Sequence, residues 1–186
     1  MHTKQLGFSL YMVLIIMVVI AFMVVATMQG TSMNSRTAAN DSDYQIAFHN
    51  AQAGLKAAQE KISTWPALDD AVKFSCNCSN GLCAAKGVEA ESASTRLAKV
   101  ESCANNNSDL KEVWKRENVF SDTSKDPSIK SEVTGQKYRY VIEYLGPNAE
   151  STPGVYIFRV TAKGWGKNQH TTSLIEETLQ ANLYEH

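Results

Sequence analysis

Four cysteines are the residues of this chain best equipped for chemistry. Three of them crowd into Cys76-Asn77-Cys78-Ser79-Asn80-Gly81-Leu82-Cys83 and the fourth is Cys103. Thiols so close could hold zinc, exchange electrons or close disulfides. Structural zinc favours paired two-residue spacings, and Cys-x-Cys followed by a cysteine after four residues lacks them. A thioredoxin-like redox site needs a Cys-x-x-Cys, which this sequence does not contain. An even number of cysteines in an exported domain reads instead as two disulfides. Cys76 and Cys78 are too close to pair comfortably, which leaves Cys78–Cys83 with Cys76–Cys103, or Cys76–Cys83 with Cys78–Cys103; the first is preferred. Its longer bridge would close a loop of roughly 28 residues, worth about 3 to 4 kcal/mol in the chain-entropy picture.

Little else in the sequence points to catalysis. His49 and His170 are isolated, no serine sits in a nucleophile elbow, and no glycine-rich loop suits a phosphate. Glu176-Glu177 reads as an exposed pair on a strand. The expectation is a non-enzymatic protein with no metal and no cofactor. A formal net charge of −1 over 186 residues argues against a nucleic-acid-binding surface.

An oxidised domain requires export, and the amino terminus supplies a route. The polar head Met1–Gly7 runs into FSLYMVLIIMVVIAFMVVATM, uncharged from Phe8 to Met28. About twenty apolar residues at roughly 1.5 Å each span the approximately 30 Å core of a bilayer. A cleavable signal peptide has a shorter apolar core, although the small-residue exit Val25-Ala26-Thr27-Met28-Gln29-Gly30 keeps that alternative open. Lys4, with His2, precedes the span, so the positive-inside tendency places the head in the cytoplasm and the remainder outside.

Past a polar stretch around Gly30 and Asn34, which could mark a loosened helix, the pattern resumes. Tyr44, Phe48, Ala51, Leu55, Ala58, Ile62 and Trp65 alternate spacings of four and three, the stripe of an amphipathic helix that stops at Pro66. A coiled-coil seam would have this spacing too. About three heptads ending in proline fit packing on a sheet better, and Ala51 and Ala58 are small enough to bring a sheet close.

The chain thus divides into residues 1–7, a head; 8–28, a membrane helix; 29–66, its amphipathic continuation; 67–136, an irregular cysteine-bearing region; and 137–186, a sheet. Within the irregular region, Ser92 to Ala104 predicts a short helix around Leu97 and Val100, and Ala104–Asp109 a turn. In the last part Tyr138, Tyr140, Ile142 and Tyr144 share one face of a strand. Tyr156, Phe158, Val160 and Ala162 share one face of a second, and Leu179, Ala181 and Leu183 suggest a third. Gly146–Gly154 and Gly164–His170 are hairpin-length links, which predicts an antiparallel meander of three or four strands. Helix stripe and sheet face need each other for burial, so the expected fold is α+β, a long amino-terminal helix packed on a carboxy-terminal sheet.

Several strings resemble one family. Gly7-Phe8-Ser9-Leu10 resembles the type III signal of type IV prepilins, Ala39-Asn40-Asp41-Ser42-Asp43 followed by Ala47-Phe48 and Ala51–Leu55 is similar to a PilX segment, and Tyr140–Gly146 with Phe158–Asn168 resembles the end of PilK-type minor pilins. The likeness covers both ends and part of the centre. It implies a pilin-like fold and cleavage between Gly7 and Phe8 by prepilin peptidase. It also implies N-methylation of Phe8 and an assembly helix that stays attached. Most pilins carry a glutamate where this chain has Met12, and its lack resembles PilX and PilK minor pilins and the K-type pseudopilin of type II secretion. Those stand at the start or tip of a filament; the pseudopilins usually hold a larger inserted domain than this length permits. The resemblance further implies an inner-membrane precursor with a periplasmic domain, assembled into a surface pilus. Other minor pilins are the implied partners, and display of a tip adhesin the implied outcome. A membrane-tethered periplasmic binding or sensor domain is the alternative from a different class.

Overall fold

Helix α1 runs from Phe8 to Ser63, 56 residues, and opens a computed structural model that describes residues 8–65, 72–121, 126–148, 150 and 154–183, without the side chains of 27–32. The leader, Gly7 and Pro66 lie outside the described residues. The chain divides into two units, residues 1–42 and residues 43–186. In the first, Phe8–Ala26 is long and apolar enough to cross a membrane, and none of it is buried within the protein. A helix apolar all round needs an apolar surrounding, and here lipid or neighbouring helices must supply it. The helix passes through Gly30 and Asn34, where the sequence allowed a loosened stretch.

The second unit carries the sheet. Strands β1 (Val72–Phe74), β2 (Leu82–Ala84) and β3 (Ala98–Val100), with a one-turn helix α2 (Ala90–Ala93), lie in the cysteine-bearing region. They precede β4 (Ile129–Lys130), β5 (Tyr138–Pro147), β6 (Val155–Trp165) and β7 (Thr172–Asn182). The main sheet has the order β2-β5-β6-β7, with β4 also paired to β5. The layout is α+β and mostly antiparallel. It departs from a simple meander in two places: β2 joins β5 in parallel, and β1 and β3 form a separate parallel pair. Both parallel pairs involve strands of the cysteine region, which are too short to show a readable period. The short helix expected over 92–104 is displaced to Ala90–Ala93; Leu97 lies in a bend and Val100 in strand β3 instead. Ala98 and Val100 are buried while Lys99 between them is exposed, the two-residue period of a strand.

β5 is buried on both faces. Its front face, with that of β6, meets α1 in an aromatic core: Trp65 lies 5.2 Å from Phe158, Phe74 stacks on Tyr144 at 5.4 Å, and Tyr144 lies 5.3 Å from Phe158. The rear face is covered by a smaller cluster in which Cys78, Cys83, Val113, Val119 and Val141 are buried.

The helix meets the sheet along a line of small residues. Ala47, Ala51, Gly54, Ala58, Ile62 and Trp65 are buried. Tyr44 and Phe48, expected in the packing stripe, are 53% and 38% exposed, and Leu55 is half-buried. The reason is how close the two backbones come. A Cβ at Gly164 of β6 would collide with the Ala47 carbonyl oxygen and the Ala51 amide nitrogen. Only an Ala/Gly line tolerates that approach, so it turns inward and the larger residues at 44 and 48 are rotated out of it.

Gly164→Ala should therefore force helix and sheet apart. Overpacking against backbone rather than a yielding side chain should cost about 3 kcal/mol, a fall in Tm of roughly 10 °C for a chain of this size. Thermal unfolding of the full chain in detergent measures it; an unchanged Tm would contradict the close approach.

Candidate functional site

Two polar constellations organise the second unit, one at each face of the sheet. At the front, the turn between β6 and β7 is tied to α1. Asp43 accepts from the Lys167 amide at 2.5 Å and from the Asn168 amide at 3.3 Å, while Asn50 donates to the Trp165 carbonyl at 2.7 Å. Gly166 is required beside this contact, since a Cβ there would run into the Asp43 carboxylate. A hydrogen bond from the Thr171 side chain is the largest influence on the Asp43 carboxyl; desolvation opposes it, and the two amides and the Lys167 charge add smaller lowering effects, so the carboxyl sits below its ordinary value. The helix residue thus serves as cap for a hairpin more than 120 positions later, as the separation of 124 to Lys167 records.

At the rear, Glu143 of β5 is fully buried between two arginines. Arg159 of β6 grips it with both ends of its fork, at 2.7 and 3.1 Å, and Arg116 stands 3.8 Å away. Arg116 reaches in from the covering segment after β3, donating to Ala84 and Lys111 carbonyls at 2.8 Å each. Burial pushes its guanidinium down in pKa and Glu143 partly restores it, whereas the Glu143 hydrogen bonds raise that of Arg159. A buried ion group of this kind adds little net stability but fixes which segment covers which strand, because separating its members strands a charge out of water.

Cys78 and Cys83 sit in the same rear layer, whereas Cys103 packs against the front core. Cys76 is bonded to Cys103 and Cys78 to Cys83, one of the two pairings the sequence left open. The first bridge spans 27 positions and ties β1 to the loop after β3; the second closes the turn Ser79–Gly81 that leads into β2. Buried Asn107 fastens that loop further, accepting from the Cys103 amide at 2.8 Å and donating to the Val88 carbonyl at 3.0 Å. Asn105, Asn106 and Asn107 all have positive φ, which asparagine tolerates better than other side-chain-bearing residues.

The remaining sequence candidates do not converge. His49 and His170 are exposed, and Glu176 and Glu177 lie on β7. Among the described residues no group of three or more His, Cys, Asp or Glu could hold a metal ion. Phe8 begins α1 and is exposed, as is Met12 one turn on; the scissile partner Gly7 lies outside the described residues. Asp43, Asn107, Arg116, Glu143 and Arg159 escaped the sequence reading. Of these only Glu143 and Arg159 left a sign, as charged residues inside otherwise apolar strands.

The Asp43 contact has a pH signature. Its carboxyl has a lower pKa folded than the ordinary 3.8, so the unfolded chain takes up the proton first. The stability it gives is present above about pH 4 and lost as pH falls through the folded value. Asp43→Asn should flatten the loss of stability below about pH 4, measured as Tm against pH; an identical acid limb in both proteins would contradict it.

Comparison with known proteins gives two family matches. The model for the PilX N-terminal region matches residues 7–56, and that for the type IV pilus assembly protein PilX C-terminal region matches residues 34–181. No curated protein and no solved structure matches. The second match covers most of the chain and takes in the Asp43 clamp, the disulfide region and the sheet through Ala181. The apolar segment Phe8–Ala26 fits a single-pass anchor in a pilus protein. With an apolar amino-terminal helix, a mostly antiparallel sheet and both family models matched in order, this chain belongs to the PilX family of type IV pilus assembly proteins.

Proposed function

We propose that this protein is a minor pilin that initiates filament assembly as part of a priming or tip complex with other minor pilins and supports display of an adhesin there. The observation that carries the reading is Met12. It lies near the start of an uncharged helix at the position where most pilins have a glutamate. A carboxylate there could attract the terminal amine of a neighbouring subunit, and in lipid it would be costly until it found one. A thioether neither needs nor offers that partner. A subunit with methionine at this point suits a place with no neighbour ahead of it.

In this reading prepilin peptidase cuts between Gly7 and Phe8 and the new Phe8 amine is methylated. The helix first holds the precursor in the inner membrane with residues 43–186 in the periplasm, then packs among other pilin helices. The disulfides fit an oxidising compartment. The two disulfides and the buried ion group suit a domain that must survive extrusion from the membrane.

Intact-mass and amino-terminal analysis of the full chain made beside a prepilin peptidase tests the processing step. The expected product begins at an N-methylated Phe8 and co-purifies with other minor pilins. A product retaining Met1 would overturn the pilin role, and a correctly processed chain distributed along the whole length of sheared pili would overturn the tip assignment.

A further inference from the structure

β7 ends the main sheet. It is 11 residues long, and among the described residues no strand lies beyond it. The Leu183 amide donates to the Gly154 carbonyl at 2.8 Å and the Gly166 amide to the Thr171 carbonyl at 2.9 Å, which sets the phase of the β6–β7 ladder. The alternation of antiparallel hydrogen bonding then aims the amides of Leu174, Glu176, Thr178 and Gln180 away from β6. An edge this long is a template for another strand.

A groove of about 400 Å³ runs beside it, walled by Gln59, Ile62 and Ser63 of α1 on one side and by Leu179 to Leu183 on the other. Its accessible apolar part is Leu179 and Ala181, above the buried Ile62 and Leu183. Helix on one side and open strand edge on the other is the arrangement that receives an added extended segment, with backbone bonds to the edge and alternate side chains in the groove.

Charge selects the occupant. Glu177 is the central residue of β7, on the helix side, and Glu176 lies next to it on the opposite side. If two copies paired β7 to β7 about its midpoint, Glu177 would oppose Glu177, an arrangement that like charges disfavour. The geometry points to β7 as the acceptor for an extended segment of a different protein, one carrying a lysine or arginine opposite Glu177 and apolar side chains to either side that enter the groove. Gln59, which donates to Glu177 at 3.2 Å, gives way to that cation. This assignment stands whether the subunit primes or caps a filament.

Two blocked nine-residue peptides of alternating valine and threonine, one with a central lysine and one with a central glutamate, test it on the full chain in detergent by fluorescence anisotropy and hydrogen exchange. The lysine peptide should bind at least tenfold more tightly than the glutamate peptide and slow exchange at Leu174, Glu176, Thr178 and Gln180. Glu177→Lys should reverse the preference. Thr178→Pro removes an outward amide while leaving the β6 ladder bonds in place, a site where an edge strand accepts proline, and should abolish binding with near-ultraviolet circular dichroism unchanged. Equal binding of both peptides, binding that survives Thr178→Pro, or no binding to the unaltered chain would overturn the proposal. So would self-association of the chain that Thr178→Pro removes, which would make a second copy the occupant.

Discussion

The structure depends on how closely the backbone of α1 lies on β6 at Gly164. Where a side chain would stand, the Ala47 carbonyl and Ala51 amide already occupy the space. That approach decides which helix residues face inward and lets the Asp43 carboxylate reach the Lys167 and Asn168 amides. It also seats Ile62 and Trp65 over Phe158 and its aromatic neighbours. Each contact presupposes the others: move the helix outward by the width of a methyl group and the hairpin turn loses its cap while Trp65 loses its partner. Interiors packed to crystal-like density admit such a change only at a cost of kilocalories.

The rear of the sheet is organised differently because, among the described residues, no α-helix covers it. A segment with little regular structure does so, and irregular chain must be fixed by specific bonds. At the rear the Cys78–Cys83 bridge and the Arg116–Glu143–Arg159 group supply them, while Cys76–Cys103 and the Asn107 side chain fasten the irregular loop after β3 beside the front core. The bridges limit the freedom of the unfolded chain, and the ion group selects one docking of the covering segment over others. β7 packs its helix-side residues on the front core and leaves its outer backbone edge without a neighbouring strand among the described residues.

The elements with a sustained period were readable from the residues. Alternation in Tyr138–Tyr144 and Tyr156–Ala162 announced β5 and β6, and the uncharged run from Phe8 announced the first half of α1. The inward face of the second half was harder to place. The stripe drawn from Tyr44 to Trp65 included Ala51 and Ala58, which make the contact together with Ala47 and Gly54, but also Tyr44 and Phe48, which are exposed. Size marks what gains most from burial, but at a seam closed by Gly164 and Gly166 the limit is space, and small residues win. The signal was present as an Ala/Gly line with spacings of four and three. The parallel pairing of β2 with β5, and the meeting of Arg116 with Glu143, join segments far apart in sequence and follow no local pattern.

Membership of the PilX family gives this architecture its setting, a pilus assembly protein with an apolar amino-terminal helix and a disulfide-bridged second unit. The central physical claim is that the part of α1 on the sheet and the sheet itself are one cooperative unit. Native-state hydrogen exchange on the full chain in detergent tests it most directly. Amides from Ala47 to Ile62 should exchange with the same opening free energy, and the same denaturant dependence, as those of β5 and β6. Helix amides that open at a markedly lower free energy while β5 and β6 stay protected would contradict the account.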